Sequence, residues 1–270
     1  MRDRYGLVVL GFVVGLCFVL GLVVGSFLNV VIHRVPRHES VVSPRSACPT
    51  CGTEITNRDN VPVVSWLLLR GRCRSCGEVI SPRYPLVELL TGVVFALVGA
   101  RLGPDWALPA FLVFSAGLIA LSAIDLDTYL LPRKVVYPTL FGTAGLLLLA
   151  GVVTRDLRGL AEAAAGGLIA FVIFFAIHFA SPKGMGFGDV RLSGVIGMAL
   201  GWIELPLVGV GLFMAFVLAT IVGISLMVFG GRSRKDKVPF GPFLAMGAML
   251  AVLVGQKALE FYKDYFSFTG

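Results

Sequence analysis

The chain has 270 residues, 57% of them hydrophobic and only 14% charged, with a mean hydropathy of +0.88 and a formal net charge of +7. That balance excludes an ordinary soluble globular domain and fits a polytopic membrane protein whose main solvent is the bilayer. The positive charge does not point to nucleic acid: the chain has no nucleic-acid motif, low-complexity tract or long internal repeat, and basic residues in membrane proteins collect in cytoplasmic loops.

Charge-free runs of spanning length predict helices near 7–31, 85–102, 107–124, 136–153, 161–180, 190–203, 205–229 and 239–258. The first, Leu7 to Ile32, is too long for a signal-peptide core and has no small-residue cleavage site before Arg34, so it reads as a retained span. The sixth is the short one. Only Leu192 to Ile203 is uncharged between Arg191 and Glu204, so this segment reads either as a crossing or as a re-entrant segment, with Gly201 to Pro206 as the turn. With the N-terminus outside, the loops 32–84, 125–135, 181–191 and 230–238 face the cytoplasm and hold 16 of the 23 Lys and Arg, including the basic run Arg232 to Lys237. The expected fold is an all-α membrane protein of about eight transmembrane helices. It divides into a first transmembrane helix (1–32), a polar cytoplasmic insertion (33–84) and a membrane-embedded remainder (85–270).

The insertion carries four of the five cysteines. Cys48-Pro-Thr-Cys51 and Cys73-Arg-Ser-Cys76 are two CxxC knuckles separated by 21 residues, close to the spacing of a four-cysteine zinc site. Four soft thiolates close a tetrahedron around Zn(II), and Gly52 and Gly77 after each knuckle permit the tight turn the ligands need. With no open position the metal is structural, folding a domain poor in apolar residues. Paired disulfides or a redox CxxC are the alternatives. A reducing cytoplasm opposes the first, and the matched knuckles oppose the second. Cys17, in the middle of the first span, reads as a small buried hydrophobe.

Two acidic stretches carry the chemistry: Ala123-Ile-Asp125-Leu-Asp-Thr-Tyr-Leu-Leu-Pro132 and Gly184-Met-Gly-Phe-Gly-Asp-Val-Arg191. Asp125 closes the third span and Asp189 opens the sixth, with two intervening spans that leave one face and return to it. Both carboxylates therefore reach the same side at similar depth. Two carboxyls brought within a few ångströms cannot both ionise cheaply, so the pair shares a proton and can activate a water for attack on a peptide carbonyl. Asp127 competes with Asp125, and because two residues apart on a helix they point in nearly opposite directions, only one of them can face Asp189. An isolated aspartate at a helix end would read instead as a hydrated cap.

These residues resemble the bacterial prepilin peptidases, or type IV leader peptidases, within the intramembrane GxGD aspartyl proteases. The resemblance rests on Asp125 with Pro132 seven residues later, on Gly186-Phe-Gly-Asp189, on Gly25 to Pro36, on both cysteine knuckles and on Ile80 to Thr91, in the family's order. It implies cleavage of short basic leaders from prepilins and pseudopilins at the cytoplasmic face of the inner membrane, usually after a glycine. It also implies, for many members, N-methylation of the new N-terminus from S-adenosylmethionine. By the same resemblance Asp125 and Asp189 are catalytic, and Cys48, Cys51, Cys73 and Cys76 hold zinc. Arg133 stands where relatives usually carry Asp or Asn, and Arg191 where lysine is common.

Glu88, inside the matched Ile80 to Thr91 run, reads equally as a positioning group for substrate or methyl donor and as a structural interfacial carboxylate. Asn29 reads as an interhelical hydrogen bonder, His33 and His178 as structural, and Phe171, Phe174 and Phe175 as packing. No Gly-rich nucleotide fingerprint follows a strand, so methylation rests on the resemblance alone. The rival classes are a carboxylate-based transporter, whose acids belong near the bilayer midplane, and a zinc-bearing scaffold without catalysis.

Overall fold

The computed structural model describes residues 2–182, 185–229 and 238–267, with side chains described over 6–182, 185–229 and 238–260. Gly184 and the basic run Arg232 to Lys237 lie outside the described residues. The nine described α-helices are α1 (Arg2–Arg34), α2 (Val64–Leu68), α3 (Arg83–Leu102), α4 (Leu108–Thr128), α5 (Arg133–Thr154), α6 (Leu157–Ala180), α7 (Phe187–Ile203), α8 (Pro206–Val228) and α9 (Gly241–Ser267). No β-strand occurs among the described residues, only two isolated antiparallel bridges. Each predicted span corresponds to one helix, overrunning it by no more than two residues at either end, and several helices outrun the charge-free segment that marked them. Thus α4 continues through Asp125 to Thr128, and α5 starts at Arg133 directly after Pro132.

Seven of these helices are long and apolar enough to cross a membrane. The remaining long one, α7, has 17 residues and is the short sixth span of the sequence analysis. Its side chains face protein rather than lipid: Val190, Leu192, Val195, Ile196, Ala199 and Leu200 are all fully buried. The turn to α8 falls where Gly201 to Pro206 predicts it, with the Glu204 N–H bonded to the Leu200 carbonyl and Pro206 opening α8.

The chain divides into two compact units, Met1–Leu108 and Pro109–Gly270. In the first, α1 and α3 pack through small residues. A β-carbon on Gly21 would lie 2.7 Å from Cα of Gly92, and one on Gly25 would lie 2.7 Å from Cα of Glu88. The Gly21-x-x-x-Gly25 spacing puts both glycines on one helix face and lets the two backbones touch. Asn29 acts between these helices as expected, donating from Nδ2 to the Tyr84 carbonyl at 3.1 Å.

In the second unit α7 is the central helix. It meets α6 backbone to backbone where Gly166 faces Gly197 and Gly201 faces Glu162. Gly211 of α8 and Gly247 of α9 meet in the same way. Two rings pack on Phe240 just ahead of α9: Phe174 of α6 at 6.3 Å and Phe216 of α8 at 5.2 Å between centroids.

Candidate active site and metal centre

Asp125 lies one turn before the end of α4 and is 5% exposed. Its Oδ2 accepts a 2.9 Å hydrogen bond from the backbone N–H of Gly241, the first residue of α9. Asp189 sits in the first turn of α7, half-buried, where the helix dipole favours a carboxylate. The two acids are brought to one place by Leu131, which packs both on Gly188, next to Asp189, and on Gly241, which holds Asp125. Asp127 is exposed, so of the two acids near the end of α4 only Asp125 turns into the protein.

The loop after α4 explains the spacing to Pro132. Tyr129 adopts a left-handed conformation (φ 56°) and returns its N–H to the Asp125 carbonyl, reversing the chain within one residue of the helix end. Leu131 then wedges between the starts of α7 and α9. A β-carbon on Gly188 would lie 2.8 Å from Cβ of Leu131, and one on Gly241 would lie 3.2 Å from its Cδ2. Pro132, extended at ψ 133°, opens α5. The last glycine of Gly-Phe-Gly-Asp thus makes room for Leu131. Gly186 lies beside Asp189 itself, since a β-carbon there would stand 3.3 Å from Oδ2 of Asp189.

Phe187, between those glycines, is held from three sides: edge-on by the His178 ring at 5.4 Å, edge-on by Phe175 at 6.4 Å, and under the Arg191 guanidinium at 4.4 Å. The His178 imidazole also bonds through Nδ1 to the Met185 carbonyl at 2.8 Å, so its role is to fasten the approach to α7. Arg133 is exposed. His33 is exposed too, and its carbonyl accepts from the Arg37 guanidinium at 2.5 Å.

Gly241 is the residue that sequence reasoning missed. The available signal was Pro239-Phe-Gly-Pro242 ahead of an apolar helix, a turn signature that says nothing of a buried carboxylate.

The four knuckle cysteines form a separate centre in the first unit. Their sulfurs all lie within 4.8 Å of one another, and those of Cys48 and Cys76 are 3.8 Å apart. Tetrahedral Zn–S bonds of about 2.3 Å place sulfurs roughly 3.8 Å apart, so the donor set fits that ion. The knuckles are copies of one another at the backbone. Cys48 N–H bonds to Thr53 O and Gly52 N–H to Cys48 O, while Cys73 N–H bonds to Glu78 O and Gly77 N–H to Cys73 O. Both glycines have the left-handed backbone the turn requires, at φ 69° and 75°. The side-chain and backbone bonds from Thr53 bring the Cys51 thiol down to about 6, despite the cost of burial. The Glu78 amide favours a thiolate at Cys76, but burial and hydrogen bonds from the other three cysteines outweigh it and push that thiol up to about 12. Arg74 closes the domain by a bidentate bond to Asp59, with Nη2 to Oδ1 at 2.6 Å. Cys17 is buried in α1, with no cysteine partner.

Glu88, in the second turn of α3, is 8% exposed and accepts at Oε2 from the Val63 N–H at 2.7 Å. Ser26 of α1 lies on the same cavity wall as this carboxylate. Val63 adopts φ 61°, which is costly for a β-branched residue and is held here by the bond to Glu88.

Residues 19–102 match the family model described as the Bacterial Peptidase A24 N-terminal domain, and residues 112–228 match the Type IV leader peptidase family. The chain is 36% identical over 277 residues to the prepilin leader peptidase/N-methyltransferase of Aeromonas salmonicida (strain A449), covering 92% of each chain. It is 36% identical over 280 residues to the protein of that name from Aeromonas hydrophila, with 93% of this chain and 94% of that one covered. With the Pseudomonas aeruginosa protein of the same name it shares 35% over 281 residues, covering 94% of each. No solved structure matches the chain significantly. With both family models in register and a third of its residues shared with these relatives over nearly their whole length, the chain belongs to the type IV leader peptidase family.

Proposed function

We propose that this chain removes the short basic leaders of prepilins and pseudopilins with Asp125 and Asp189 as a catalytic dyad, and then N-methylates the new N-terminus from S-adenosylmethionine. The observation that carries the peptidase reading is that Leu131 brings together the two acids at the end of α4 and the start of α7, one of them buried and fixed by the Gly241 N–H. In the proposed reaction, the ionised carboxylate takes a proton from a water as its oxygen attacks the scissile carbonyl. The protonated partner donates to the carbonyl oxygen. Collapse of the adduct breaks the C–N bond, and the leaving amine takes up the proton. The helix-end position of both acids supports a site at the membrane face and counts against a transporter, whose acids belong at midplane.

The positive-inside distribution supports a cytoplasmic site in the inner membrane. The sulfur geometry supports a structural zinc on Cys48, Cys51, Cys73 and Cys76. The methylation reading draws on the names of the relatives. In that step the free amine forms an N–C bond as the methyl group leaves sulfur, releasing a proton and a neutral thioether.

Asp125→Asn and Asp189→Asn should each abolish leader cleavage by purified protein, while the protein still inserts in the membrane. Asp127→Asn should cut near the normal rate. Normal cleavage of a prepilin by either of the first two variants would overturn the dyad.

A further inference from the structure

A cavity of about 650 Å³ opens in the first unit where the last turns of α1, the first turns of α3 and the inserted cysteine domain meet. Its wall includes Ser26, Asn29, Ser65, Trp66, Tyr84 and Glu88. That size lies in the range of roughly 300–1,000 Å³ typical of small-molecule sites. We infer that this cavity is the methyl-donor site and that it takes a nucleoside sulfonium, with Glu88 as the counter-charge of the sulfonium. The inference rests on the methylation reading above and adds to it a location and a recognition group.

The charge argument is the strongest part. Glu88 is a nearly buried carboxylate, and the group that holds it, the Val63 N–H, is uncharged. A carboxylate withdrawn from water calls for a cation, and this one lies on the wall of a ligand-sized space whose arginines include Arg34, bonded to the Ser40 and Pro44 carbonyls, and Arg74, bonded to Asp59. A sulfonium supplies a permanent positive charge that no pH change removes. Trp66 adds the second element. It sits on the same wall, anchored by its indole N–H to the Ile80 carbonyl at 3.0 Å. An indole face suits both the adenine ring and the cationic sulfur. Val63 shows that the wall is built for this carboxylate, since its backbone takes a disfavoured conformation to present its N–H to Glu88. The Glu88 oxygens keep acceptor capacity beyond the bond from Val63.

Titration calorimetry on the full chain in lipid nanodiscs, using S-adenosylmethionine and its neutral product S-adenosylhomocysteine as probes, tests the assignment. Wild type should bind both. Glu88→Gln keeps an acceptor for Val63 but removes the charge, so binding of the sulfonium should weaken about tenfold or more while the neutral thioether loses less than about threefold. Zinc content equal to wild type checks that the domain is intact. On wild-type protein, an azido-adenosine analogue of the donor should label the segment 26–88. Equal affinity of Glu88→Gln and wild type for the sulfonium, or labelling confined to residues beyond Pro109, would overturn the site and leave methylation standing. Failure of wild type to bind either probe would overturn the methylation reading, and this site with it. A Glu88→Gln defect in prepilin KM alone, with donor affinity unchanged, would assign the cavity to peptide and refute the inference.

Discussion

Gly241→Ala tests the geometry of the site at a position that has no side chain of its own. A β-carbon there would stand 2.7 Å from Oδ2 of Asp125 and 3.2 Å from Cδ2 of Leu131, with the Gly241 N–H bond to Asp125 only 2.9 Å long. Ordinary carbon-to-oxygen contact needs roughly 0.5 Å more than the first of these, so either the carboxylate or the first turn of α9 must move. If the carboxylate moves, a hydrogen bond to a charged group worth about 1.5–3 kcal/mol is lost, or about 10- to 150-fold in rate if it is needed in the transition state. A displacement approaching 1 Å is of itself worth about 100-fold. The assay is kcat/KM for leader removal from a purified prepilin, followed as a gel shift, with thermal unfolding measured alongside. Gly209→Ala and Gly223→Ala in α8, where a β-carbon meets nothing within 4 Å, serve as controls and should leave the rate near wild type. Cleavage by Gly241→Ala at the wild-type rate, or an equal fall in the controls, would refute the assignment of Gly241 as the positioning group for Asp125.

Elemental analysis should find one zinc per chain. Cys48→Ser should lose the metal and unfold the inserted domain, since a four-thiolate site supplies folding free energy, whereas a stoichiometry near zero in protein purified without chelator would remove the zinc reading. Gly25→Leu should part α1 from α3, because even a β-carbon is too close to the Glu88 backbone; a melting temperature equal to wild type would contradict the packing. The bonds from Arg74 hold the Asp59 carboxyl below the usual carboxylate range. Its contribution to stability is therefore present above the unfolded value of about 3.9 and lost as pH falls toward the lower folded value. Asp59→Asn should melt earlier than wild type at neutral pH, with the gap closing in acid, and a gap independent of pH would count against the ion pair.

The helices were legible because a bilayer imposes a length and an apolar composition on every crossing, and a charge ends the run visibly. The same rule truncates the reading where a helix carries its acid inside, as α4 does beyond Asp125. The polar insertion stood out before residue 85 because the solvent changes there, whereas the division after Leu108 is one of packing: it depends on α3 lying against α1 through Gly21 and Gly25. Two glycines four apart in a membrane helix are too common to announce that contact. Helical periodicity showed that only one of Asp125 and Asp127 can turn inward, and the family resemblance, not the spacing, selected Asp125.

What the pattern could not supply is how Asp125 is held. Spacing and charge identify groups that carry chemistry in their side chains, and Gly241 contributes a backbone N–H, which every residue but proline also carries. Its selection depends on two things away from its own position: the Phe174, Phe216 and Phe240 rings that fix the chain ahead of α9, and Leu131, which reaches both Gly188 and Gly241. Leu131 reaches them because Tyr129 reverses the chain directly after α4. The distance from Asp125 to Pro132 is therefore set by packing: one residue more or fewer in that loop would withdraw Leu131 from between α7 and α9 and loosen the backbone that holds each carboxylate.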